Sequence, residues 1–140
     1  MFDQPQNQSV VEIQHAIGTP ALKNLREQAE AGDPCAQFRL GVIYEEGRGV
    51  APSGRQAERW YRRAALQNDA NAQLALGVIF AIGDGVERDY GQAYVWFDLA
   101  ASQGHKDAEE LRDLVARELG ATARKAALRE ARELQAKLAG

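Results

Sequence analysis

Catalysis requires a nucleophile, an acid or base, or a metal held in place by neighbours, and this chain offers few residues for any of these roles. Its two histidines, His15 and His105, are too far apart in sequence to form a zinc-ligand pair on one helix. His105 reads as a capping or surface residue, and His15 as a solvent-facing position on a short amphipathic stretch. Cys35 is the single cysteine, so intrachain disulfides and cysteine-cluster metal sites are excluded. It stands at the entry of a predicted helix, where the dipole favours a thiolate, yet a small apolar role accounts for it better. Two glycine pairs, Gly47/Gly49 and Gly83/Gly85, have the look of phosphate cradles. Neither follows a strand, and neither carries the third glycine or the Lys-Ser/Thr ending of a nucleotide loop. The nearby carboxylates Glu45, Glu46 and Asp84 have no arrangement that would drive two pKa values apart. The expectation is a protein with no catalytic residues, no metal and no cofactor.

What must position these residues is a duplication. Residues 32–67 laid over 68–103 without a gap agree at 16 of 36 positions, where unrelated segments share on the order of two or three. The identities include Ala36/Ala72, Gln37/Gln73, Leu40/Leu76, Gly41/Gly77, Gly47/Gly83, Gly49/Gly85, Trp60/Trp96 and Ala64/Ala100. Apolar and small residues recur at three- and four-residue steps on both sides of each glycine pair, which predicts helix, loop, helix in each unit. Asp33-Pro34 has the form of an N-cap followed by proline at the first helical position, and Asp69 repeats the cap.

The pattern Ala36-x3-Leu40-Gly41-x2-Tyr44-x2-Gly47-x-Gly49-Val50-x6-Ala57-x2-Trp60-x3-Ala64-Ala65, repeated with Phe80 in place of Tyr44, resembles the Sel-one-like repeat (SLR) family. These proteins are relatives of the tetratricopeptide repeats with a longer loop between their helices. The resemblance implies an all-α, right-handed α-solenoid of antiparallel helix pairs, with about seven helices in one domain. The flanks extend it. Residues 1–8 read as a flexible arm and 9–31 as a degenerate N-terminal half-unit. In that half-unit Ser9 and Glu12 have capping-box spacing, Val10, Ile13 and Ile17 are in helical register, Gly18 is a stop and Thr19-Pro20 a new start. Residues 104–140 read as two amphipathic capping helices around Gly120. Their charged outer faces suit the end of a solenoid, and the stretch resembles the cap that often closes an SLR array.

Surface patterning supplies the functional expectation. A second apolar stripe, Phe38 and Val42 with Glu45 at its end, then Leu74, Val78 and Ala81, lies on the first helices away from the Ala36/Leu40/Tyr44 face. The SLR resemblance implies that this side lines a concave surface. The stripe is either buried between adjacent units or a groove for a peptide, for the chain's own N-terminal arm or for a second copy. Arg55, Arg59, Arg62 and Arg63 form a basic cluster on the next helix, and Arg59 and Arg63 are candidates for holding an acidic partner segment.

Net charge is −3, which offers no field to hold nucleic acid. No apolar run approaches the ~20 residues of a membrane span. The start, MFDQPQNQSV, has neither the basic nor the apolar region of a signal peptide. The sequence as it stands reads as cytoplasmic, and as periplasmic if a leader has been removed. The leading expectation is a non-enzymatic scaffold or adaptor that binds another protein or peptide and is itself a monomer or weak homodimer. The resemblance also brings two alternatives: a secreted SLR-type enzyme acting on cell-wall compounds, against which the lack of cysteine pairs counts, and a purely structural dimerising module.

Overall fold

A computed structural model describes residues 20–140, which form seven helices and no strand. The expected arm and the segment 9–17, with His15, lie outside the described residues. The helices are α1 (Leu22–Glu30), α2 (Pro34–Glu46), α3 (Gly54–Ala65), α4 (Ala70–Ile82), α5 (Tyr90–Ser102), α6 (Lys106–Ala116) and α7 (Ala121–Ala139). Each helix from α1 to α5 packs on the next, and α7 returns to lie against α5. This is a helical-repeat solenoid, in which α2/α3 and α4/α5 are the two full units.

Helix boundaries follow local chemistry, and they follow it twice. The Asp33 carboxylate accepts from the Cys35 amide at 3.0 Å, and the Asp69 carboxylate from that of Ala72 at 3.0 Å. Each takes up a backbone donor that the first helical turn leaves unpaired. Pro34 fills the first turn of α2. Gly47 and Gly83 end α2 and α4 with φ of 73° and 82°, a left-handed turn that costs glycine little. In the loops that follow, the Ser53 amide donates to the Tyr44 carbonyl (2.8 Å) and that of Asp89 to the Phe80 carbonyl (2.9 Å). Ser53 and Asp89 then cap α3 and α5. His105 occupies the repeat position of Asp33 and Asp69 but makes no side-chain cap bond.

Close approach of the two helices in a unit comes from glycine. A Cβ on Gly41 would lie 2.5 Å from the Tyr61 ring, and one on Gly77 would lie 2.5 Å from Phe97. Between units, a pair of buried glutamines does the joining. Gln37 Nε2 donates to the Ala29 carbonyl (3.0 Å) while its Oε1 accepts from Gln67 (2.9 Å). Gln73 does the same with Ala65 (3.2 Å) and Gln103 (3.0 Å). Buried amides are tolerated because both their ends are paired.

Of the two apolar clusters, the larger runs from α3 to α7 and the smaller joins Leu22, Ala29, Ala36, Leu40 and Trp60. Residues 93–100 of α5 are all buried, as expected of a helix enclosed by α4, α6 and α7. Asp98, 4% exposed, is the charged member of that run. It receives Arg112 of α6 at 3.3 Å and Arg132 of α7 at 3.1 Å. The cap is thereby fixed to the last full unit by one shared carboxylate.

Candidate functional site

The stripe expected from the sequence divides between two cavities. Phe38 and Val42 of α2 line the first, about 640 Å³, whose other wall is α1 through Ala21, Asn24, Leu25 and Gln28. Arg39 and Arg48 also line it. Val78 of α4 lines the second, about 440 Å³, with Ala81, Ile82, Tyr90, Phe97, Leu111, Leu114 and Val115 from α4, α5 and α6 and Glu118 from the turn after α6. Leu74 borders neither; it is half-buried and packs against the larger core. Phe38, Val42 and Val78 are half-buried as well, so each has one side on the core and one toward its cavity.

Among the described residues, three large apolar side chains are exposed: Ile82 (68%), Leu114 (54%) and Leu66 (46%). Two of the three border the second cavity, which makes it the more apolar of the two. The sequence reading did not single out Ile82 or Leu114. A signal was present for Ile82, since Glu45-Glu46 of the first unit become Ala81-Ile82 in the second, a charge-to-apolar exchange at equivalent positions. Leu114 carried one too, since it stands 36 residues after Val78, at the third copy of the Val42/Val78 stripe position.

Glu45 is exposed, and its carboxylate accepts from the Tyr61 hydroxyl at 2.6 Å. Burial first, and then the bond and charge of Glu45, push the Tyr61 hydroxyl above the ordinary tyrosine range, so it remains a proton donor. The second unit replaces the pair together: Phe97 stands for Tyr61 and Ala81 for Glu45.

The four arginines of α3 do not form one patch. Arg62 pairs with Glu58 (2.7 Å), and its guanidinium lies 5.7 Å from the Phe80 ring centre and 5.9 Å from that of Trp96. Arg63 stacks on Trp60 at 4.6 Å and meets Glu30 at 3.3 Å. Stacking lets these cations cover aromatic surface while their polar edges stay wet. Arg55 and Arg59 are exposed. Cys35 is an exposed thiol in the first turn of α2. Among the described residues no three metal-capable side chains gather, and no helix is long and apolar enough to cross a membrane.

The profile of the Sel1 repeat matches residues 36–69 and 70–105, so the chain belongs to the Sel1 repeat family, whose members generally mediate protein interactions. Several solved structures are similar to it, two of them as follows. A protective antigen present in uropathogenic Escherichia coli strains, displaying an SLR fold, superposes with a TM-score of 0.75 at 37% identity, over 84% of this chain and 25% of that one. The present chain thus spans a quarter of the antigen's length. A Sel1 repeat protein from Oxalobacter formigenes superposes with a TM-score of 0.64 at 39% identity, over 66% of this chain and 70% of that one. No curated protein matches the chain.

Proposed function

We propose that the protein is a non-enzymatic interaction module that seats an apolar segment of a partner protein in the second cavity, between α4, α5 and α6. The observation that carries this is the placement of Ile82 and Leu114, 68% and 54% exposed, at the border of a mostly apolar hollow already floored by Val78 and Phe97. Apolar surface of that kind gains by meeting a partner, at roughly 25 cal/mol per Å² removed from water. Family membership supports the same reading. Phe38, Val42 and Leu74 extend the stripe toward the N-terminal cavity. Glu45, Arg59 and Arg63 provide charged positions beside it, with Arg59 the more available of the two arginines for an acidic segment.

Ile82→Glu tests this cleanly. Because Ile82 is so exposed, the charge costs the fold little, whereas in a bound complex it would be buried without a partner. Proteins captured from native lysate by the wild type should be lost by Ile82→Glu and by Leu114→Glu, with affinity for an identified partner falling at least about tenfold, or ~1.4 kcal/mol. Unchanged capture by both variants would place the binding surface elsewhere.

A further inference from the structure

The second cavity owes its character to three exchanges between the units. Counting 36 residues back from Ala81, Ile82 and Phe97 gives Glu45, Glu46 and Tyr61. In the first unit the Glu45 carboxylate accepts from the Tyr61 hydroxyl at 2.6 Å, so these polar groups satisfy each other within the fold. In the second unit hydroxyl and carboxylates are gone together. The side chains of Val78, Ala81, Phe97, Leu111 and Val115 line the hollow with neither donor nor acceptor. A polar group pressed onto that floor would give up its water without a new partner. The floor therefore selects an apolar side chain.

The mouth of the cavity selects charge. Glu118 lines it, four residues beyond the exposed Leu114, and Glu110 stands four residues before Leu114 on α6. Both carboxylates are exposed. Carboxylates outnumber cations five to three over residues 106–118, and three to one over 83–89, the loop from α4 to α5. Two of the four cations are committed elsewhere: Arg112 pairs with Asp98 and Asp113, and the Arg88 guanidinium lies 5.2 Å from the Tyr90 ring centre. The arginines of α3 do not line this cavity. Negative potential beside an apolar hollow attracts a cation that adjoins an apolar group and repels a carboxylate. We propose that the partner segment seated in the second cavity is basic as well as apolar. One of its apolar side chains enters against Val78 and Phe97, and a neighbouring Lys or Arg of the partner pairs with Glu118 and Glu110. The inference rests on the seating proposed above and adds to it the charge of the partner.

Short random peptides displayed on phage and selected on the full chain at low ionic strength test it. Peptides that bind the wild type and are lost on Ile82→Glu should be enriched in Lys and Arg beside an apolar residue. The double variant Glu110→Lys/Glu118→Lys, at two exposed positions that leave helicity unchanged, should weaken such a peptide at least about tenfold. Replacing the peptide's Lys and Arg by Glu should restore binding to that variant. Peptides that depend on Ile82 but show no basic enrichment, or that ignore the charge reversal, would overturn this inference and leave the apolar seating standing. Peptides indifferent to Ile82→Glu, or no selected peptide at all, would overturn both. A wild-type dimer that Leu114→Glu turns into a monomer in sedimentation would give the site to a second copy and overturn the basic partner equally.

Discussion

At the scale of single residues, the two units solve one packing problem with different side chains. Gly41 and Gly77 let a ring lie flat on the facing helix. An alanine there gains up to about 1 kcal/mol of helix propensity but drives a methyl into the ring, an overpacking cost of ~1–3 kcal/mol. Neither ring can retreat easily: Tyr61 is tied to Glu45, and Phe97 is enclosed. Gly41→Ala and Gly77→Ala should therefore each lose a net ~1–2 kcal/mol in urea titrations. Tyr61 also gives the fold a pH dependence. Its hydroxyl ionises above the ordinary range in the folded protein and near 10 when unfolded. The resulting stability is complete below about pH 10 and is lost above it, at up to ~1.4 kcal/mol per pH unit. Thermal unfolding followed from pH 9 to 11.5 should show this decline in the wild type and a shallower one in Tyr61→Phe.

At the scale of elements, the cap depends on Asp98. Removing both Arg112 and Arg132 would strand the carboxylate of a residue that is 4% exposed, at a cost of ~3–5 kcal/mol. Removing the carboxylate is a different matter. The two arginine side chains are 25% and 59% exposed and can turn to water, so Asp98→Leu should fall within about 1–2 kcal/mol of wild type. Chemical denaturation of the two variants should place the arginine double variant well below Asp98→Leu; the reverse order would show that the ion pairs themselves hold the cap. The same helices explain why α5 is buried on every side. α7 does not simply follow α6 outward but comes back across α5, where Gln92 also reaches Glu130 at 3.0 Å.

At the scale of the whole molecule, stability in a solenoid is a sum over neighbours and need not be uniform. Trp96 sits in the larger cluster at 2% exposure, and Trp60 in the smaller one at 9%. Truncating either to alanine empties a socket worth ~3–5 kcal/mol, but the consequences differ. Trp96→Ala should lower the global melting transition. Trp60→Ala should mainly loosen α1 and α2, visible as faster amide exchange there with α4–α7 still protected. Equal loss of protection throughout in both variants would mean that the repeats melt as one unit.

The sequence alone determined the repeat, its 36-residue step, the caps at Asp33 and Asp69, and the glycine terminators, because each depends on contacts within a few residues or on a pattern written twice. It also marked Phe38, Val42, Leu74 and Val78 as a second apolar stripe. It could not divide that stripe between two cavities, since the division depends on what lies opposite. In the first unit α1 stands there with Asn24 and Gln28, where later units carry Trp60 or Trp96 and Ala64 or Ala100. In the second, α6 brings Leu111 and Leu114 from a stretch that keeps the 36-residue step at His105, Ala108 and Leu114 but has lost the Leu-Gly pair and the glycine loop. Asp98 was hidden for the same reason. Its two arginine partners stand 14 and 34 residues away, and only the return of α7 across α5 gives a buried carboxylate its second cation.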